Sequence, residues 1–242
     1  MTTLVVGASG ATGRLLVREL LNRGETVTII VRSPDKLPDF LQNQDTLSVI
    51  QASVLDLSDT ELAQQVMGCD AVASCLGHNL TIKGIFGPPR RLVTHATRRL
   101  CHAIQSNKPA TPVKFVLMNT TGNRNRDLAE PVSLGHKSAA WLLRHLLPPQ
   151  ADNEQAADFL RTKIGQGDRI IEWAVVRPDG LIDEPEATPF EVHPSPIRDP
   201  IFDAGVTSRI NVGYFMADLI TDPGTWAKWK GQMPVLYNQT QP

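Results

Sequence analysis

The sequence has few cysteines, few tyrosines and no excess of either charge. Its three cysteines, Cys69, Cys75 and Cys101, are odd in number and lack the short paired spacings of a metal site. A disulfide framework is excluded, and the three read as small core residues in a reducing compartment. Lys and Arg number 24 against 25 Asp and Glu, a formal net charge of −1, with no basic stripe and no acidic tail. That balance excludes the electrostatic footprint of a nucleic-acid binder or of a protein held on an anionic membrane. No apolar run approaches the roughly 18 residues of a membrane span. The opening Met1-Thr2-Thr3 leads straight into an apolar strand, without the basic region and small-residue site of a secretory signal. The expected location is cytoplasmic. Only two tyrosines occur, Tyr214 and Tyr237, so a phenol is a scarce source of protons here.

What is present is a hydrophobic share of 41% and an alternation of strand and helix patterns. "TLVVGA", "TVTIIVR", "TLSVIQAS", "DAVASCLG", "VKFVLMNTT" and "IIEWAVVRP" are short, nearly continuous apolar runs. Between them, "ATGRLLVRELLNRG", "SDTELAQQVM" and "PPRRLVTHATRRLCHAIQSN" carry helical spacing. Ser58 and Glu61 form a capping box, and Pro88-Pro89 are expected in the first turn of the third helix. Strands apolar on both faces, alternating with helices, predict an α/β fold: a doubly wound parallel sheet. The length predicts one domain over 1–242, with a core over 1–183 and a lid, helix and terminal strand over 184–242. "AAWLLRHLL" and "NEQAADFLRTKI" read as helices separated by a break at Pro148-Pro149, the proline-rich stretch from Asp183 to Pro200 as a loop, "INVGYFMADLI" as a helix and "MPVLYN" as a strand.

The stretch "VVGASGATG", Val5 to Gly13, spaces Gly7, Gly10 and Gly13 three apart between a strand and a helix. Glycine is required where the turn has positive φ, where backbone approaches a pyrophosphate and where helix packs closely on strand. The helix that follows aims its amide end, from Ala11 onward, at phosphate. This predicts a dinucleotide site, with Ser9 and Thr12 in the same loop. After the second strand, an NAD site wants an acid for the ribose hydroxyls. Here Arg32 and Ser33 stand instead, with Lys36 nearby, and a guanidinium and a hydroxyl suit the 2′-phosphate of NADP. Asp56 follows the third strand, where it would accept from the adenine amino group or simply begin a helix. Cys75, Leu76 and Gly77 end the fourth, where backbone would pass the nicotinamide half.

"VVGASGATG", "VRSP", "VLDLSD", "DAVASCLG", "VLMNTTG" and "WAVVRPDGLID" together resemble the atypical short-chain dehydrogenase/reductases, in particular the NmrA-like, NAD(P)H-binding group that includes biliverdin and flavin reductases. The resemblance covers roughly residues 2–183 and is most specific at the glycine loop and at Arg177-Pro178. It implies a Rossmann-like fold, NADP in the glycine loop with Leu57, Asn119, Thr120 and Pro178 beside it, and a substrate over the nicotinamide near Thr120 and Thr121. It does not imply one reaction, since such groups hold reductases, epimerase-like enzymes and non-catalytic redox sensors.

Other short-chain dehydrogenases use a Ser with a Tyr-x-x-x-Lys pair, the tyrosine moving the substrate proton. Tyr214 is followed four residues on by Asp218 and Tyr237 by Gln241, so neither tyrosine opens that motif. Thr120 stands where the hydroxyl that polarises a carbonyl is expected. Ser133 and Lys137 keep the family spacing with Ser in place of Tyr, in "SLGHK", and the neighbouring His136 titrates near neutrality; the same residues also read as a helix cap and its exposed first turn. A second alignment, counted back from Arg177-Pro178, puts Asn153 in the lysine's place, where Asp152 and Asn153 equally read as the cap of a helix starting near Glu154. In the lid, His193, with Arg198 or Arg209, is expected to face an anionic substrate or to be a polar residue of a surface loop, with Thr207 or Ser208 as the N-cap of the next helix. Trp226, Trp229 and Tyr237 dock the C-terminus or line a pocket. The expected partner is a small-molecule substrate, with no nucleic acid and no membrane; a second copy of the chain or a protein partner stays open. Three readings result. The first is an NADP-dependent reductase passing hydride to a small conjugated acceptor, such as a quinone, flavin or carbonyl compound. The second is a non-catalytic NADP(H) redox sensor. The third, weaker for want of a tyrosine base, is an epimerase-like enzyme.

Overall fold

The computed structural model describes residues 1–42, 44–78, 81, 87–128, 130, 148–199 and 202–239. Apolar, β-branched runs form β1 (Thr2–Val6), β2 (Thr26–Val31), β3 (Leu47–Gln51), β4 (Ala71–Ser74), β5 (Val113–Met118) and β6 (Ile171–Pro178). Three short strands follow, β7 (Gly180–Ile182), β8 (Phe190–His193) and β9 (Val206–Ser208), and β10 (Val235–Asn238) comes last. Eight of them make one sheet in the order β3-β2-β1-β4-β5-β6-β10-β8; β7 and β9 pair separately. All pairs in the large sheet are parallel except β10 with β8. Chain order reverses between β1 and β4, and such a reversal opens a crevice at the carboxyl ends of the strands.

The pleat sends successive side chains to opposite faces, and helices cover both. Leu4 and Val6 of β1 join one core cluster with the helices α2 (Asp59–Val66), α3 (Leu92–Asn107) and α4 (Pro148–Phe159). Val5 joins the other, with α1 (Gly13–Asn22), α5 (Arg209–Thr221) and α6 (Pro223–Trp229). This is the doubly wound α/β architecture that the strand pattern predicts. Cys69 and Cys101 are buried within the first cluster, as expected of small core residues. Among the described residues, no helix is long and apolar enough to cross a membrane.

Several local expectations hold at atomic detail. The Ser58 hydroxyl accepts the Glu61 amide at 3.2 Å while the Ser58 amide donates to the Glu61 carboxylate at 2.7 Å. Ser208 caps α5, accepting the Asn211 amide at 3.3 Å. Trp226 and Trp229 are buried and dock the end of the chain. Others need correction. Pro88-Pro89 precede α3 rather than opening it, because the helix begins at Leu92. The helix read over "NEQAADFLRTKI" is longer than expected, since α4 already includes Pro148 and Pro149. The stretch 183–200, read as loop, contains β8, which extends the sheet by pairing with β10. The "AAWLLRHLL" helix lies outside the described residues.

Candidate functional site

The crevice between β1 and β4 is shaped by glycine. Gly7 has φ of +78°, and a Cβ on it would lie 2.5 Å from the Cys75 carbonyl carbon and 2.7 Å from the Leu76 nitrogen. A Cβ on Gly13 would lie 2.8 Å from the Gly7 carbonyl carbon and closer still to its oxygen. The loop is held from within: the Gly10 amide donates to the Gly7 carbonyl at 3.0 Å, and the Arg14 amide to the Gly10 carbonyl at 3.1 Å. No side chain caps α1 at Thr12, and no acid stands in its first turn. Its amide end therefore has no side chain neutralising it, which suits a phosphate.

The residues read as cofactor contacts follow the carboxyl ends of the strands. Arg32, one residue past β2, is exposed, and its side chain makes no hydrogen bond or ion pair with another described residue. Ser33 is half-buried beside it and Lys36 is exposed. Past β3, Asp56 is exposed and Leu57 half-buried. Their loop is fixed by a residue that the sequence did not single out. Arg99, on α3, donates to the Val54 carbonyl at 2.9 Å, to the Leu57 carbonyl and to Asp59 at 3.0 Å. In the sequence, "TRRL" looks like the solvated face of an amphipathic helix, and nothing in it points 45 residues back. At the exit of β4, the Cys75 amide donates to the Val6 carbonyl at 2.9 Å. The Cys75 sulfur lies 3.9 Å from that of Met216, and burial pushes its thiol up to about 12, so it acts as a hydrophobe. Gly77 is exposed, with open space where its Cβ would stand.

The β5 and β6 exits adjoin. Asn119 is buried, donating to the Asn153 carbonyl at 3.0 Å and accepting the Thr120 amide at 2.9 Å. The Thr120 hydroxyl is half-buried and accepts the Gly122 amide at 3.3 Å. Thr121 is turned inward: its hydroxyl donates to Asp179 at 3.0 Å, and its amide donates to the Pro178 carbonyl at 3.1 Å. Asp179 also accepts the Gly205 amide at 2.8 Å, and burial holds its carboxyl above the ordinary value. Beneath them Arg177 is wholly buried. It donates to the Met233 carbonyl at 2.6 Å, the Asn123 carbonyl at 2.9 Å, the Glu130 carboxylate at 2.7 Å and the Pro194 carbonyl at 3.2 Å.

Ser133, His136 and Lys137 lie outside the described residues. Asp152 and Asn153 do not cap a helix at Glu154, because α4 has already begun at Pro148. Asp152 instead reaches across to α3, accepting the amides of Val93 at 2.8 Å and Thr94 at 2.9 Å, and it faces His78 Nε2 at 2.8 Å. It is a helix cap supplied from 58 residues away, and it ties the end of β4 to both helices. Burial works against its charge, yet the bonds from His78, Thr94 and Val93 outweigh burial and hold the carboxyl below the usual 3.8. A depressed folded value gives stability that is complete above the unfolded pKa and is lost as pH falls through the folded one. Asp152→Asn is expected to cost about 1–3 kcal/mol at neutral pH. It should also flatten the fall in urea midpoint below 3.8, measured as a series of denaturation curves; an unchanged acid limb would refute the linkage.

The late polar residues do not converge. His193, on β8, pairs with Glu191 at 3.0 Å. Arg198 pairs with Asp203 at 2.6 Å and lines a different hollow beside Tyr237. Arg209 pairs with Asp183 at 3.0 Å. The side chains expected to meet an anionic substrate are thus each engaged by a carboxylate of the chain itself.

Comparison with known proteins agrees with this geometry. A sequence family described as NAD(P)H-binding matches residues 7–223. No curated protein matches the chain. Among solved structures, it is similar to an oxidoreductase of Lactococcus lactis (16% identity, TM-score 0.70, covering 100% of this chain and 92% of that one). It is also similar to a short-chain dehydrogenase/reductase of Veillonella parvula in complex with NADP (17%, 0.69, 98% and 94%). A third is a candidate NADH-flavin reductase of Streptococcus pneumoniae (18%, 0.65, 99% and 100%). At these identities the likeness carries the fold, a Rossmann-like α/β sheet.

Proposed function

The chain belongs to the NAD(P)H-binding family, and on that premise we propose that it is an NADP-dependent reductase passing hydride to a small conjugated acceptor, such as a quinone, flavin or carbonyl compound. The observation that carries the cofactor choice is Arg32, a guanidinium with no partner among the described residues, standing past β2 where an NAD site would want an acid. The similar Veillonella structure holds NADP. In this reading Gly7, Ser9, Gly10, Ala11, Thr12 and Gly13 hold the pyrophosphate, and Arg32 and Ser33 hold the 2′-phosphate. Asp56 and Leu57 flank the adenine. Cys75, Leu76 and Gly77 pass the nicotinamide half, with Asn119, Thr120 and Pro178 beside it. When bound, the cofactor supplies the hydride. The Thr120 hydroxyl polarises an acceptor oxygen, while Thr121, fixed on Asp179, orders the loop that carries it. Lys137, four residues after Ser133 in the family spacing, is the expected ribose ligand. With no phenol in the family position, the acceptor's proton comes from water, and positioning carries the rate.

Arg32→Ala is expected to weaken NADPH binding about 10- to 100-fold, the worth of a lost charge-assisted hydrogen bond, and NADH binding about twofold or less. Nicotinamide fluorescence titrations read both. Equal losses would overturn the 2′-phosphate assignment.

One observation favours a second reading, a non-catalytic redox sensor. The chain lacks a Tyr-x-x-x-Lys pair: Tyr214 lies on α5 under the Arg23 guanidinium, 4.9 Å from its ring centre, and Tyr237 sits in β10. NADPH consumption over a panel of quinones, flavins and carbonyl compounds separates the two. Tight NADPH binding without turnover on any of them supports the sensor.

A further inference from the structure

A hollow of about 740 Å³ opens beside β10, within the size range of small-molecule sites. It adjoins the β5 and β6 exits through Asp179, which holds Thr121 on one side and the amide of Gly205, a wall residue, on the other. Its walls include Ile182, Ile197 and Val206, which are 38%, 59% and 45% exposed. One exposed aliphatic side chain is unremarkable on any surface. Three around one hollow mark a place where an apolar body is covered.

The charges in the hollow decide what kind of body. Glu184 accepts from Thr188 at 3.1 Å and from Asn238 at 3.2 Å. Glu191 is paired with His193 at 3.0 Å, and Arg198 with Asp203 at 2.6 Å. The wall thus carries two carboxylates and one guanidinium, and the guanidinium is already neutralised. An anion entering here would meet no free countercharge and would be desolvated against carboxylates. Among the described residues, the one buried lining group whose O–H finds no acceptor is the Tyr237 hydroxyl, on a side chain 5% exposed, with the backbone amides of Ile197 and Arg198 facing its oxygen. A phenol donates, so its complement is an accepting oxygen.

We propose that the acceptor site continues from Thr120 into this hollow and that the hollow takes the apolar ring of a neutral compound bearing carbonyl oxygens, in preference to anionic analogues of the same ring. The connection to the reaction rests on the reductase reading; the ligand class rests on the walls alone. The probes are 2-methyl-1,4-naphthoquinone and 1,4-naphthoquinone-2-sulfonate, titrated by calorimetry into the full chain after saturation with NADP+. The neutral quinone is expected to bind at least about tenfold more tightly than the sulfonate, the scale of one uncompensated charge contact.

Val206→Asp places a carboxylate on an exposed wall position and is expected to weaken the neutral quinone about tenfold or more, with the melting temperature checked in parallel. Tyr237→Phe should weaken it about three- to tenfold while leaving the sulfonate unchanged. Glu191→Lys, on the exposed rim, should narrow the discrimination between the two probes. Equal or tighter binding of the sulfonate overturns the proposal. So does a Val206→Asp variant that keeps both its melting temperature and its quinone affinity. If NADP+ binds and neither quinone does, this assignment fails and the cofactor reading stands. If NADP+ itself does not bind, it is the cofactor reading that fails.

Discussion

Arg177→Met is expected to cost about 3–5 kcal/mol of folding stability, read as a large fall in urea midpoint. The guanidinium is wholly buried, and so is the carboxylate of Glu130 that it meets at 2.7 Å. Methionine fills much of the volume but leaves that carboxylate charged, buried and without its cation. It also removes the donors that satisfy the Met233, Asn123 and Pro194 carbonyls. An unpaired buried charge is the costliest defect a single substitution can make. Against a usual total of about 5–15 kcal/mol, the variant should sit close to its unfolding limit. The origin of the cost can be isolated. Glu130→Gln in the Arg177→Met background removes the orphaned charge and should recover part of the loss, although alone it should destabilise. Additive losses in that cycle would show that the pair does not act as a unit.

Gly13→Val should abolish measurable nucleotide binding, a loss of about 100-fold or more, with about 1–3 kcal/mol of stability lost from overpacking. A side chain there has nowhere to go. Its first carbon would press on the Gly7 carbonyl, which is backbone, and the Gly7 turn is itself wedged against Cys75 and Leu76. Relief requires α1 to move off β1, and that carries the helix amides away from the phosphates they would hold. Gly167→Ala is the control, since its added carbon meets nothing within 4 Å and both affinity and stability should stay near those of the parent. If Gly13→Val binds NADPH as the parent does, the glycine loop is not the phosphate site.

The parts of this molecule legible in the sequence are those set by local spacing. The glycine loop, the capping box at Ser58 and Glu61, and the apolar strands up to β6 each announce themselves within ten residues, because period and turn chemistry act over that range. The illegible parts are long-range. Asp152 reads as a cap for its own helix, since a sequence shows only the neighbours along the chain. In space the nearest needy amides belong to α3. Arg99 and Arg177 reach their carbonyls by geometry that no periodicity encodes. The stretch holding β8 was hidden by its prolines, which mark loops in general but are tolerated around an edge strand. Its partner β10 lies 42 residues later (235 − 193). Tyr237 sits outside the spacing expected of a proton donor, yet it returns to the pocket because β10 lies against β6.

The position of β10 also fixes an order of assembly. Among the described strands it comes last in chain order, and it enters between two that precede it, parallel to β6 and antiparallel to β8. Until it arrives, β6 shows an open edge of backbone donors and acceptors, and β8 has no partner in the large sheet. Such edges invite pairing with other chains. On a ribosome the first six strands can close on one another as they emerge, whereas the carbonyl of Met233, the acceptor seat for Arg177 ahead of β10, follows only 55 residues after the end of β6 (233 − 178). The sheet is therefore sealed by a strand that comes late in chain order, and until that strand leaves the ribosome both neighbouring edges stay open to misassembly.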